Sequence, residues 1–286
     1  MTPLDYEYLR KILKDHSGLD LSADKQYLIE SRLIPLARKC GLAGIGDLVQ
    51  KMKGGSAAHV SQVVEAMTTN ETFFFRDKVP FEHFRDTIMP EILKARAGRK
   101  SLRIWCAAGS TGQEPYSLAM CLKEMSAATA GFRIEIIATD LSQEVLEKSK
   151  AGIYSQFEVQ RGLPIQHLVK FFSQVGETWQ IAPEIRDLVQ FRPLNLLKDF
   201  AALGTFDMVF CRNVLIYFDQ ETKIGVLNRI AKQLPEDGYL ALGAAETVVG
   251  LTDALKPMAE RRGLYVPNTK RARPETSNVL KFALKA

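Results

Sequence analysis

The chain has 286 residues, of which 46% are hydrophobic and 25% are charged, and its formal net charge is +5 at pH 7. That length allows two domains with separate cores, and the composition excludes a disordered or fibrous protein. No apolar run approaches the roughly 20 residues needed to span a bilayer, and the acidic start without an apolar core is not expected to act as a secretion signal.

Cysteine and histidine usage predicts neither disulfides nor a metal site. Cys106, Cys121 and Cys211 lie in strongly apolar stretches and no C-x-x-C pattern occurs, which favours reduced cysteines in a cytoplasmic protein. The four histidines lack metal-ligand spacing. Five basic residues fall within the last seventeen positions. We therefore interpret residues 267–286 as a solvated, flexible basic tail and expect no nucleic-acid partner and no membrane insertion.

Residues 1–85 contain no convincing strand and predict a small all-helical domain, followed by a linker to about residue 98. Apolar residues recur at helical spacing in two stretches: Tyr6, Leu9, Ile12 and Leu13, and then Tyr27, Leu28, Leu33, Leu36 and Ala37. Ser22 is the predicted N-cap of the second helix. After glycines at positions 41, 44 and 46, the pattern predicts another helix over residues 47–53.

From residue 101 onward, candidate strands alternate with candidate helices. The predicted strands cover residues 102–107, 134–140, 188–191, 206–211, 239–243 and 263–266, and the predicted helices cover residues 114–125 and 222–234. This α/β alternation predicts a mostly parallel sheet with helices on both faces, in a domain spanning residues 99–266. Residues 156–190 interrupt the alternation and are interpreted as a small inserted subdomain.

A loop of small residues, 107–112, follows the first predicted strand, where sheets of this kind bind ligands. Gly109 and Gly112 let a ligand approach the backbone, and Glu114 stands in the first turn of the next helix. A pyrophosphate would repel that carboxylate, whereas the sulfonium and ammonium groups of S-adenosylmethionine would be attracted to it. The loop therefore favours S-adenosylmethionine over NAD. The alternative for Glu114 is simple complementarity to the helix dipole.

Asp140 ends the second predicted strand. An ionised carboxylate at this place can accept hydrogen bonds from both hydroxyls of a ribose. The alternative is that Asp140 caps the helix that begins near Ser142.

Three segments then resemble motifs of a known family. They are Asn70–Arg76 (NETFFFR), Ala108–Ser117 (AGSTGQEPYS) and Phe210–Asp219 (FCRNVLIYFD). They resemble three motifs of the chemotaxis receptor methyltransferases, the CheR family, in that family's order and approximate spacing, and the resemblance covers about residues 5–266. It implies a helical receptor-recognition domain, a Rossmann-like S-adenosylmethionine-dependent methyltransferase domain and an inserted antiparallel β-subdomain.

The resemblance also implies the reaction and its residues. The methyl group of S-adenosylmethionine would pass to glutamate carboxylates of chemotaxis receptors, giving glutamyl methyl esters and S-adenosylhomocysteine. Implied cofactor contacts are Asn70, Thr72, Arg76, Glu114, Asp140, Asn195, Leu196, Arg212 and Asn213. Arg76 suits the methionine carboxylate, which a guanidinium can bind bidentately.

Two further groups of residues are predicted to contact the acceptor. Asn213 and Tyr217 follow a predicted strand and would line the acceptor pocket as catalytic residues, although Tyr217 could instead be a core aromatic. Arg32, Arg38 and Lys39 fall near one helix face and would bind the acidic methylation helices of the receptor. The alternative for this face is an ordinary solvated surface. An ionised carboxylate acceptor needs no general base at pH 7.

The chain departs from the family at two places. The family commonly has Gly-His-Ser-Glu after its fifth strand, whereas this chain has Gly243-Ala244-Ala245-Glu246. Residues 172–180 turn around the single Gly176 and lack a second glycine, which predicts no docking of a receptor C-terminal pentapeptide. Two alternative functions are methylation of a different acceptor and non-catalytic regulation through binding of an S-adenosyl ligand.

Overall fold

The computed structural model describes residues 1–269, so the predicted tail lies outside the described residues from position 270 onward. The first part of the chain forms four helices: α1 (Pro3–Ser17), α2 (Gln26–Lys39), α3 (Ile45–Lys53) and α4 (Ala57–Met67). Their apolar faces share one core that includes Leu9, Leu13, Ile29 and Leu33. The predicted all-helical domain is confirmed.

Two local predictions in this domain are wrong. Ser22 does not cap α2, because that helix begins after Lys25 and has no side-chain cap bond, while the Ser22 hydroxyl donates to Asp24 instead. Tyr27 is 62% exposed and does not belong to the apolar face. The helix α4 had no prediction of its own.

Most of the stretch predicted as a linker, and the last residues assigned to the helical domain, are helical. Residues 79–95 form α5 (Val79–His83), a π-helical turn (Phe84–Ile88) and α6 (Met89–Ala95). Its aromatic side chains, among them Phe81 and Phe84, pack into the core of the following domain. By its packing, this segment therefore belongs to the second domain.

A seven-stranded sheet forms the centre of the second domain. Its elements in chain order are β1 (Ser101–Ala107), α7 (Gln113–Glu124), β2 (Arg133–Asp140), α8 (Gln143–Ala151), β3 (Ile153–Ser155), α9 (Gln156–Gln160), α10 (Ile165–Phe171), β4 (Phe172–Val175), β5 (Thr178–Ile181), α11 (Pro183–Arg186), β6 (Val189–Pro193), β7 (Met208–Cys211), α12 (Gln220–Lys232), β8 (Tyr239–Leu242), β9 (Leu255–Pro257) and β10 (Leu264–Pro267). The sheet order is β6-β2-β1-β7-β8-β10-β9, and β10 runs antiparallel to the other six strands.

Both faces of the sheet are buried, as the near-continuous apolar strands predict. Along β1, Ile104 and Cys106 enter the core shared with α7, whereas Trp105 and Ala107 enter the core shared with α12. β1 has β2 on one side and β7 on the other, both parallel to it. The strand order reverses there, so the carboxyl ends of these three strands border a crevice.

The inserted subdomain is a three-stranded antiparallel sheet of order β3-β5-β4. Its strands span residues 153–181, while β6 belongs to the main sheet. The β4–β5 hairpin turns at Gly176, whose φ is 60°. Within residues 1–269, no helix combines the length and apolarity that crossing a membrane requires.

Candidate active site

The carboxyl ends of β1, β2 and β7 border a cleft of about 1010 Å³, including space open to solvent. All the cofactor residues predicted from the sequence line it, and so does Tyr217. One side, here called the strand-end wall, comprises Gly109, Asp140, Arg212 and Asn213. The other, here called the helical wall, comprises Ser17, Leu19 and Met67–Thr69.

The loop after β1 needs both of its glycines. A Cβ on Gly109 would stand 3.2 Å from the Cβ of Ala138, and one on Gly112 would stand 3.0 Å from the Tyr154 hydroxyl. Gly112 also has a φ of 93°, which favours glycine. The loop is thus folded tightly against β2, which brings its backbone to the cleft.

Asp140 is buried and its carboxylate is held at both oxygens. The amide of Ser110 donates to Oδ2 at 2.8 Å and the amide of Ser142 donates to Oδ1 at 3.0 Å. Burial raises the pKa of Asp140, while the backbone hydrogen bonds from Ser142 and Ser110 oppose that rise. The cap of α8 is Ser142, whose hydroxyl accepts from the Val145 amide. Each Asp140 oxygen keeps capacity for a ligand hydroxyl.

Glu114 is paired with Arg212 across the floor of the cleft. The Arg212 Nη1 donates to Glu114 at 2.6 Å, and its Nη2 donates to the Asp77 carboxylate at 2.7 Å. Burial raises the pKa of Glu114, and the neighbouring Arg212 charge lowers it. The sequence prediction treated Glu114 as an isolated charge facing a cation and did not foresee this neutralisation. The Nε of Arg212 is buried and has no hydrogen-bond partner among the described residues.

Glu246 organises the loop after β7, a role that the sequence analysis missed. Its carboxylate accepts from the amides of Asn213 at 2.8 Å, Val214 at 2.9 Å, Leu215 at 2.8 Å and Gly243 at 2.7 Å. These bonds hold Asn213 in the left-handed region, with a φ of 58°. The only sequence signal was a glutamate three residues after a strand-ending glycine.

The helical wall is joined to the second domain by polar contacts. The side-chain Nδ2 of Asn195 donates to the His16 carbonyl at 2.7 Å, and the Asp20 amide donates to the Tyr217 carbonyl at 2.9 Å. Lys14 and Asp219 form an ion pair at 2.7 Å. Asn195, a predicted cofactor contact, thus lines the cleft, but its side-chain amide nitrogen already donates a hydrogen bond to the helical domain. Tyr217 is half-buried against the α12 core and also lines the cleft.

None of the three predicted receptor contacts lines the cleft itself, and the three differ in exposure. Arg32 is half-buried, and its Nη1 donates to the carbonyls of Met67 at 2.7 Å and Thr68 at 2.9 Å. Arg38 and Lys39 are exposed at the end of α2. The structure therefore gives Arg32 an internal role at the end of α4, while the other two cations face solvent.

Both domains of the chain are similar to known proteins. The sequence pattern described as the CheR methyltransferase SAM-binding domain matches residues 70–264, and that of the CheR methyltransferase all-alpha domain matches residues 4–68. The chain is 46% identical over 253 residues to chemotaxis protein methyltransferase 1 of Pseudomonas aeruginosa, covering 87% of this chain and 92% of the relative. It is 42% identical over 253 residues to a chemotaxis protein methyltransferase of Vibrio parahaemolyticus, covering 87% and 91%.

Proposed function

The chain belongs to the CheR methyltransferase family and is an S-adenosylmethionine-dependent methyltransferase, and we propose that it esterifies glutamate side chains of chemotaxis receptors. The products are glutamyl methyl esters and S-adenosylhomocysteine. The observation that supports this most is the gathering of motif residues from three distant segments around one cleft at the strand ends.

The chemistry of the cleft fits S-adenosylmethionine. Its charged lining residues are three carboxylates and two guanidinium groups: Glu71, Glu114, Asp140, Arg76 and Arg212. This balance suits a ligand with two cationic groups and one carboxylate better than it suits a phosphate. Asp140 would accept hydrogen bonds from the ribose hydroxyls, Arg76 would bind the methionine carboxylate, and the buried Nε of Arg212 offers a further donor.

When bound, S-adenosylmethionine supplies an activated methyl group. The residues of the chain have to orient the acceptor and keep water out. A glutamate carboxylate, with a reference pKa of about 4.3, is ionised at pH 7 and needs no general base. Asn213 and Tyr217 lie where the acceptor would enter, on a loop fixed by Glu246. Catalysis then depends on in-line positioning and on the exclusion of water from the reacting groups.

We propose that the exposed end of α2 binds the receptor. Arg38 and Lys39 offer positive charge to acidic methylation helices, and their exposure leaves them available. Arg32, assigned to the same surface from the sequence, would act mainly through its hold on Met67 and Thr68.

We expect no docking of a receptor tail on the β-subdomain. The β4–β5 hairpin closes with a two-residue turn around Gly176, with Val175 paired to Thr178. Such a short turn leaves little loop to shape a peptide-docking edge. Titration with a pentapeptide matching the receptor C-terminus should show no binding at micromolar concentrations. Micromolar binding abolished by substitutions in residues 173–180 would contradict this.

Labelled methyl transfer tests the proposed reaction. The protein is incubated with receptor-containing membranes and S-adenosylmethionine that carries a labelled methyl group. We expect label on the receptor that base releases as volatile methanol, the signature of an ester. Base-stable label would indicate another acceptor. Binding of S-adenosylhomocysteine without any transfer to receptors would indicate a non-catalytic regulator. Either result would overturn the proposal.

A further inference from the structure

Glu65 crosses from the helical domain to the helix that follows Asp140. It lies in the last turn of α4 and is half-buried. Its carboxylate accepts from the Ser142 hydroxyl, from the Gln143 amide at 3.1 Å and from the Glu144 amide at 3.2 Å. Ser142 is the N-cap of α8, and the other two donors lie in its first turn, so one side chain of the helical domain caps a helix of the other domain.

This contact supplies hydrogen-bond acceptors to backbone amides at the start of α8 that would otherwise lack a partner. The first amides of a helix have no partner within it, and a negative charge near them is favourable. Ser142 accepts from the Val145 amide at 3.2 Å, which leaves the amides of Gln143 and Glu144 to Glu65. The first turn of α8 therefore has its full set of partners only when the helical domain is in place.

The same turn orients the carboxylate of Asp140. Ser142 is fully buried, and its amide donates to Asp140 Oδ1 at 3.0 Å while its hydroxyl donates to Glu65. A single residue thus connects Glu65 to the carboxylate at the end of β2. The negative charge of Glu65 also raises the pKa of Asp140, but by less than burial does.

We propose that Glu65 is a positioning residue for the cofactor: by holding Ser142 and the first turn of α8, it keeps Asp140 aimed at the ribose hydroxyls. The inference rests on the proposed role of Asp140. It makes cofactor affinity depend on the docking of the helical domain, because the contact exists only across the domain boundary.

Calorimetric titration with S-adenosylhomocysteine tests the inference without any turnover. Glu65→Ala should raise the dissociation constant about five- to tenfold, the effect of losing a helix cap. Glu65→Gln keeps one acceptor oxygen and should have a smaller effect. The matched control is Glu147→Gln, which removes an equal charge from an exposed side chain further along the same helix. It should leave the dissociation constant within about twofold.

A double-mutant cycle separates positioning from general loss of structure. If Glu65 acts through Asp140, Glu65→Ala should add less than about twofold once Asp140→Ala is present. The same factor in both backgrounds, or an unchanged dissociation constant for Glu65→Ala alone, would overturn the inference while leaving the proposed function intact. Normal binding of S-adenosylhomocysteine by Asp140→Ala would instead refute the assignment of Asp140 to the ribose, on which the inference rests.

Hydrogen exchange of the ligand-free protein gives an independent readout. It uses Glu65→Gln, so the inference can still be tested if Glu65→Ala folds poorly. In Glu65→Gln the amides of Gln143 and Glu144 should exchange faster than in the parent protein, while the amides of β1 and β2 keep their protection. Unchanged exchange at these two amides would contradict the proposed cap.

Discussion

The two walls of the cleft are built in different ways. In the strand-end wall, Asp140 and Asn213 are fixed by backbone amides and by the buried carboxylate of Glu246, all within one domain. The helical wall reaches the cleft from another domain and is held by side-chain contacts such as Lys14–Asp219 and Glu65–Gln143. The first wall forms as part of the sheet domain, whereas the second requires domain docking.

This difference separates two kinds of mutational effect. Loss of a carboxylate in the strand-end wall leaves several buried amides without partners, so stability and ligand affinity should fall together. Loss of a contact in the helical wall exposes polar groups that water can reach, so affinity or receptor recognition should change with little effect on stability.

The largest expected effect is that of Glu246→Ala. Removing this carboxylate leaves four amides without their acceptor, and we expect a loss of about 3 kcal/mol in the free energy of unfolding. Glu246→Gln keeps one acceptor oxygen and should lose less. Urea denaturation measures both variants. A loss below about 1 kcal/mol for Glu246→Ala would show that the loop does not depend on this carboxylate.

Asp140→Ala should weaken binding of S-adenosylhomocysteine by about 1.5–3 kcal/mol, because it removes a charged acceptor from the strand-end wall. Calorimetry checks this, and the exposed Glu147→Ala in α8 serves as a control that should bind normally. Unchanged affinity in Asp140→Ala would reject the ribose assignment.

The raised pKa of Asp140 predicts how binding depends on pH. Burial makes this carboxyl protonate at a higher pH than an ordinary aspartate, and the ionised form is the better acceptor. Affinity for S-adenosylhomocysteine should therefore fall as the pH drops through that raised value, by up to about tenfold per pH unit. Asp140→Asn should flatten the acid limb of the profile. An unaltered acid limb in that variant would assign the titration to another group.

The smallest expected effect concerns the exposed end of α2. Replacing both Arg38 and Lys39 by glutamate should raise the KM for receptor by about three- to tenfold at low salt. The effect should shrink at higher salt, because exposed charges are screened over about 8 Å at physiological ionic strength. Affinity for S-adenosylhomocysteine should stay constant. Normal receptor methylation at both salt concentrations would identify this face as a solvated surface.

The strand-end wall is largely predictable from the sequence because its signals are local. A buried strand, two glycines and a strand-ending aspartate are enough to place Gly109 and Asp140 at the carboxyl edge of the sheet. None of the residues of the helical wall was predicted to line the cleft, and the family motif at Asn70–Arg76 predicted only the segment that adjoins this wall. The roles of Glu65 and Glu246 and the Glu114–Arg212 pair were not predicted, because each joins residues more than 30 positions apart. Ser22 has a capping residue's chemistry, but its hydroxyl bonds locally to Asp24 instead.

Hydrogen exchange with and without S-adenosylhomocysteine tests most directly whether both walls hold the cofactor. We predict added protection in two places: the strand-end wall around residues 109–112 and 140–144, and residues 67–72, which comprise part of the helical wall and the segment that adjoins it. The helix α9, none of whose residues lines the cleft, is the internal reference and should be unaffected. Protection confined to the strand-end wall, with residues 67–72 exchanging as in the free protein, would contradict a cofactor site shared between the two domains.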